Sequence, residues 1–422
     1  DDKQIDYETS TIKDDVNINM FLIGFGHVNQ QLFLTSVANN QFIDKNQHVK
    51  PVNYYIFDKV NSKNNKNLNH SYYRYRNEVD KSKQDDYLPL VDLPANEVYK
   101  VLDINDCEFY NEIRDKVSRD IKDINYIVVA FGSDLENIDL AKKLIEKKQE
   151  WGISNVQIFV RTRQNHPYHG LSKENNCYFF GNTNEVVYNV DNVFEDSLFK
   201  MAFLRNEIYD LEYEIVSNKM TSVSSEFAAE CKENSDIRWY KSKTQFERES
   251  NIYCCLSLRM KLQLMGLNYC SIDEDKKEIS SEEYLKIYAK EDIPDTSHYE
   301  ATVNGKPITY YSLDFKESRR KNMSIIEHYR WNAFMISIGF IPSTREQILN
   351  EKNGKKFTNG KNYLLRRHGN ITTFDGLIEF RQIVAKRDDV NESDKDVIKY
   401  DYQLLDDAYW LLKASNYKII KK

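Results

Sequence analysis

Two groups of residues have the types and spacing to hold a small molecule. The first lies in "EHYRWNAFMISIGF", residues 327–340, where Glu327, His328, Arg330 and Asn332 fall within one and a half helical turns of Trp331. At 100° per residue, Trp331, Phe334, Met335 and Ile338 form one stripe, with Glu327 in line four residues before Trp331. Ile326, Tyr329, Ala333, Ile336 and Phe340 cover the opposite side, so this helix expects neighbours all round. Charges buried in such a place must be paired. Glu327 and Arg330 are i,i+3 neighbours, as are His328 and Trp331, and His328 and Asn332 are i,i+4. One reading is a buried ion pair and a core histidine that fix packing. The other is a pocket in which Trp331 stacks on a base while Arg330 faces the ligand.

The second group surrounds "GFGHVN", residues 24–29, which follows an apolar strand-like run and precedes a helical pattern. Gly24 allows a tight turn, Gly26 lets backbone approach a pyrophosphate, and the helix start offers N–H groups and a positive dipole end. His27 lies in the same turn, and Asn29 stands where a third glycine would complete the dinucleotide fingerprint. The alternative is that these glycines only turn the chain. Ligands of open α/β sheets sit beyond the carboxyl ends of the strands. That rule brings in Asp58 as an acceptor for a ribose, Gly132 and Ser133 as a second helix start, and Arg161 and Arg163 as phosphate ligands. The two arginines, two apart on a strand, share a face; local carboxylates are their alternative partners. For hydride transfer the nearby candidates are His27, His166 and His169, and none can be placed against a substrate. Motifs of the form G-x-x-x-x-G-K-[ST], G-x-S-x-G and H-E-x-x-H are absent, so no catalytic or metal-binding residue is assigned.

The elements that would position these residues follow from periodicity. Residues 19–26, 52–58, 98–106, 124–134, 155–163 and 176–182 read as six strands alternating with helices, which predicts a doubly wound, parallel, Rossmann-like sheet. Residues 59–87, rich in Asn and Lys, read as a surface insertion. Its "HSYYRYR" mixes aromatic and basic residues, a pattern that also suits single-stranded nucleic acid. After residue 195 strand signals stop. Residues 237–267 predict one long helix, an acidic connector runs to about residue 300, and "ATVNGKPITYYSL" predicts a hairpin turning at Asn304-Gly305. A last helix is expected over 395–417. The division expected is a tail (1–17), a nucleotide-binding domain (18–195), a helical connector (196–300) and a mainly α-helical domain (301–422).

Composition narrows the function classes. The 422 residues exceed what one core usually supports, and 41% hydrophobic against 30% charged residues with mean hydropathy −0.69 describe a globular, cytoplasmic protein. A net charge of −7 gives no global attraction to nucleic acid or to an anionic membrane. No run reaches the roughly 18 apolar residues of a membrane helix. The chain opens on Asp1 without a methionine, which leaves room for a preceding segment, a membrane-spanning one included. The six cysteines show no C-x-x-C spacing and read as buried thiols.

Both halves resemble known families. "FLIGFGHVNQQL", "YYIFD", "VVAFGSD" and "IFVRTR", over residues 18–195, resemble the RCK or TrkA-N nucleotide-binding domains of potassium channels and transporters. The resemblance implies an adenine nucleotide (NAD, ADP-ribose or ATP/ADP) bound as a ligand, with Gly24, Gly26 and Asp58 matching the pattern and His27 and Asn29 departing from it. "EHYRWNAFMISIGF", "RRHGNITTFDGL" and "DVIKYDYQLLDDAYWLL", in that order over residues 301–422, resemble the ryanodine-receptor-type (RyR) repeat, and "FERESN", residues 246–251, resembles the helix that precedes it in bacterial proteins. This resemblance implies a ligand pocket with Glu327, His328, Arg330, Trp331, Asn332 and His368 as candidates. Gly369 replaces the family's proline, and Tyr402 its arginine. A single repeat where animal receptors carry pairs implies a homodimer. Together the resemblances imply a non-enzymatic nucleotide sensor or effector in bacterial signalling or phage defence. An NAD(P)-dependent oxidoreductase and the cytosolic gating module of a membrane channel or transporter stay open as alternatives.

Overall fold

The computed structural model describes residues 3–59, 71–117, 120–164, 173–183, 196–218, 220, 223–289, 299–303, 306–310, 316–354, 356–387 and 389–422. Six strands, β1 (Ile18–Ile23), β2 (Asn53–Asp58), β3 (Asn96–Val101), β4 (Ile124–Val129), β5 (Val156–Arg161) and β6 (Cys177–Phe180), form one sheet in the order 3-2-1-4-5-6. Every pairing in it is parallel. This is the doubly wound Rossmann arrangement, with its switch point between β1 and β4. β1 is buried along its whole length, as a central parallel strand covered on both faces must be. Met20 and Leu22 face α1 (His27–Asn39) through Phe33 and Val37. Phe21 and Ile23 face α2 (Cys107–Lys116) and α3 (Asp134–Glu150) through Phe109, Ile113, Ile138 and Leu144.

The remaining chain is mainly helical: α4 (Ser197–Ser217), α5 (Ser225–Lys241), α6 (Gln245–Leu264), α7 (Arg319–Ser337), α8 (Phe374–Ala385), α9 (Lys399–Asp406) and α10 (Ala408–Ala414). One apolar cluster takes in Met201 and Leu211 of α4, Leu258 and Leu262 of α6, Ile325 and Ile326 of α7, and Leu411 and Leu412 of α10. The connector and the C-terminal segment therefore share a single core, and Ile12 and Val16 of the N-terminal tail pack into it.

Several expectations need correction. The long helix over 237–267 is two helices, because Thr244 and Glu247 form a capping box that starts α6 afresh: each side chain takes up the other residue's backbone N–H. The last helix is likewise broken, into α9 and α10, and gives way to a strand, β8 (Tyr417–Lys421), which pairs antiparallel with β7 (Leu267–Ser271). The strands Tyr299–Val303 and Lys306–Tyr310 pair as the expected hairpin, while Asn304-Gly305 lies outside the described residues. Cys107 is exposed; the other five thiols are buried, and none forms a disulfide.

The segment read as a surface insertion is exposed at residues 76–78 and 80–86, but Tyr72, Tyr75 and Val79 turn inward and bridge to the rest of the fold. Tyr72 packs in the sheet core beside Phe33, and Tyr75 and Val79 pack with Phe334, Phe340 and Ile371. Arg74 donates to the carbonyl oxygens of Gly339 (3.1 Å) and Leu365 (2.8 Å), and Arg76 pairs with Glu97. Arg74 and Tyr75 serve the contact between the two halves, Tyr72, Tyr73 and Arg76 hold the segment to the sheet domain, and His70 falls outside the described residues. Among the described residues no helix is long and apolar enough to cross a membrane.

Candidate functional site

The glycine turn has the geometry its sequence predicts. Gly24 has φ +78°, and a Cβ there would lie 2.4 Å from Cβ of Phe131, so only glycine fits. Gly26 caps α1 in extended backbone with open space where a Cβ would be. The first turn of α1 carries no acidic residue, and His27 is exposed there. Asn29 is fully buried and donates to the carbonyls of Ile23 (3.1 Å) and Gly24 (2.6 Å), so it braces the loop from within. Asp58 closes the turn from β2: Oδ2 accepts from Phe25 N–H (3.0 Å) and Oδ1 from Lys59 N–H (2.7 Å).

The second helix start offers less. Gly132 has φ +50° and sits against Glu136, whose carboxylate accepts from both N–H and Oγ–H of Ser133. Asp134 accepts from the backbone N–H of Arg163 and Gln164. Carboxylates thus already occupy the N-terminus of α3, whereas at α1 the one carboxylate described, Asp58, binds the Phe25 N–H ahead of the helix. Arg161 ends β5 half-buried and Arg163 is exposed one pleat on, beside this edge. His166 and His169 lie outside the described residues.

The C-terminal candidates converge. Glu327, His328, Arg330, Trp331 and His368 all line one cavity of about 220 Å³. An engineered core cavity of roughly 150 Å³ already accepts benzene, so a larger ring system fits here. Asn332 is turned away: its Nδ2 donates to the Thr372 carbonyl (2.8 Å), and it lines a separate small gap beside Pro94. The helix α7 has the neighbours its wheel requires, for Glu327, His328 and Arg330 are all at least 95% buried.

Each charge on this face has a partner. Arg330 donates Nε and Nη2 to Glu327 (2.8 Å at the shortest), and fully buried Lys261 of α6 donates to the same carboxylate. Burial alone would raise the Glu327 carboxyl, but Arg330 and Lys261 pull it down to about 2. Both ring nitrogens of His328 meet acceptors, Nε2 the Thr372 carbonyl (2.8 Å) and Nδ1 the Asp401 carboxylate (3.1 Å). Nε2 therefore carries a proton, while Nδ1 faces Asp401, whose carboxyl burial pushes up. A histidine held at both nitrogens is not placed to act as a general base. His368 takes the N–H of Asn370 on Nδ1 (3.1 Å), which puts its proton on Nε2, and burial, with Lys361 and His328 nearby, holds it neutral. Its ring meets Trp331 edge-on at 4.9 Å.

The connector supplies the facing wall, and Tyr363, Asn370 and Tyr400 of the C-terminal segment add to the near one. Phe246, Glu247, Ser250, Asn251 and Cys254 come from α6, and Arg205 and Tyr209 from α4. The "FERESN" stretch marks four of these residues in the sequence; Arg205 and Tyr209 carry no such mark. The Cys254 thiol is pushed up by burial and so stays protonated. No family model, curated protein or solved structure matches the chain.

Proposed function

We propose that this protein is a non-enzymatic nucleotide sensor or effector, with an adenine nucleotide such as NAD or ADP-ribose at the Gly24–Gly26 turn and a nucleotide-derived signal in the cavity beside Trp331. The second half is then an RyR-type domain, and the setting a bacterial signalling or phage-defence pathway. The observation that carries the reading is the convergence of five residues singled out in the sequence on one cavity with an aromatic wall. The exposed start of α1, whose free N–H groups and positive dipole end favour an anion, supports the first site. The double engagement of His328 supports binding over catalysis.

Thermal shift with NAD, ADP-ribose, ATP and cyclic AMP tests it. At least one nucleotide is expected to raise Tm by several degrees. A side chain at Gly26 meets nothing in the fold, so Gly26→Val should fold and lose a crevice ligand. Trp331→Leu should lose a cavity ligand. No shift with any of the four would overturn the proposal.

A further inference from the structure

Among the cations that line the cavity, one stands apart. Arg330 is paired with Glu327, Lys243 with Asp210 (3.3 Å) and Lys361 with Asp394 (3.5 Å). Arg205 is 4% exposed and has no carboxylate within 4 Å among the described residues; its Nε and Nη1 meet no acceptor. Its one recorded contact is the ring of Tyr209, 6.0 Å from the guanidinium carbon. Burial works against its charge, but the nearby Cys254, Asp407, Cys255 and Glu212 outweigh that and hold the guanidinium up; neither Asp407 nor Glu212 forms an ion pair with it, and burial pushes both carboxyls up. Other polar atoms on the same wall are also unmatched: Nη1 of Arg330, the hydroxyl of Tyr400 and Oδ1 of Asn370. Buried guanidinium donors left without an acceptor are costly, and their planar fork suits a phosphate.

We infer that Arg205, from the connector helix α4, is the anchor for a phosphate group of the ligand that fills this cavity. The inference rests on the cavity reading above and adds the ligand's charge: an aromatic ring at Trp331 and a phosphate at Arg205. The site is then built jointly by the connector and the C-terminal segment, and neither part alone completes it.

The test uses the full chain carrying Gly26→Val, which silences the crevice, with calorimetric titration and thermal shift as readouts. AMP should bind at least tenfold more tightly than adenosine, and Arg205→Met should erase that difference. Inorganic pyrophosphate should raise Tm in the parent and not in Arg205→Met, while Arg205→Lys, which keeps the charge, should retain part of the shift. Without ligand, Arg205→Met should stay within a few degrees of the parent Tm, because burial already pushes the Asp407 and Glu212 carboxyls towards their neutral forms and neither forms an ion pair with Arg205. If that variant fails to fold, Arg205→Lys against the parent decides the matter, through a loss of at least threefold in AMP affinity. Pyrophosphate stabilisation through Arg205 without binding of any nucleotide would support the phosphate anchor and remove the nucleotide reading. Nucleotide binding indifferent to Arg205, or no stabilisation by any anion, would overturn the anchor.

Discussion

Glu327 balances two cations in a place that water does not reach. Arg330 and Lys261 both donate to it, and all three side chains are at least 93% buried. Glu327→Gln keeps the shape and removes the counter-charge, so it should cost about 3–5 kcal/mol, read from urea denaturation at pH 7. The pH dependence has a definite sign. A carboxyl lowered from 4.5 to about 2 on folding adds stability that is complete above pH 4.5 and lost as pH falls toward 2. The gap between wild type and Glu327→Gln should therefore shrink across that window. Asp401, raised by burial, acts in the opposite sense; Glu327 adds to that rise, so Glu327→Gln eases it, but burial, the largest cause, is common to both chains. A gap that stays constant from pH 7 to pH 3 would show that Glu327 does not hold these cations. The pairing itself was legible, since i,i+3 spacing on an apolar helix leaves Glu327 and Arg330 little choice. Lys261 was not, because its partner lies 66 residues away on another helix. Arg205 escaped for a related reason: an amphipathic reading sends an arginine to solvent, and only the packing of α4 against α6 buries it.

At the scale of elements, the wall of the cavity depends on where α6 begins. Phe246 and Glu247 line the cavity from its first turn, and the Thr244–Glu247 capping box sets that turn's position. Thr244→Ala should lower stability by about 1 kcal/mol in a chemical denaturation series. It should also weaken a cavity ligand more than a crevice ligand, because only the cavity uses α6's first turn. Equal effects on both ligands would detach the cap from the site. The capping signature T-x-x-E was present in the sequence, yet continuous apolar spacing across residues 237–267 masked it. Strands fared differently. Five of the six parallel strands stood out because each is apolar, short and bounded by turns, and the edge strand β3, with Asn96, Glu97 and Lys100, followed from the alternation with helices. β7 and β8 did not, since each owes its conformation to a partner about 150 residues distant in the chain, and local pattern carries no information about such pairing.

Across the whole molecule, the two sites share structural elements. α1 starts at the glycine turn and packs against both α7 and α6, the helices that carry Trp331 and Phe246. Ala38 of α1 lies in one apolar cluster with Phe334 and Met335 of α7, and Thr35 meets Tyr253 of α6. A second route runs through polar contacts: His328 donates to the carbonyl of Thr372, whose hydroxyl donates to Pro89 in the loop before β3. Arg74 ties the same sheet domain to the loop that bears His368. The sequence assigned these parts to separate domains because contacts between distant segments leave no periodic trace. A nucleotide that orders the start of α1 should therefore change the apparent affinity of the cavity, typically by about 5-fold or more for coupling through packed helices. Titrating the cavity with AMP at zero and saturating NAD measures it. Linkage requires the reciprocal titration to give the same factor, whichever direction the change takes. Arg74→Ala, which removes the donors to Gly339 and Leu365 while leaving both sites intact, should reduce that factor in both titrations. Identical affinities with and without the first nucleotide, in wild type, would mean that the shared helices hold the two halves together without communicating between them.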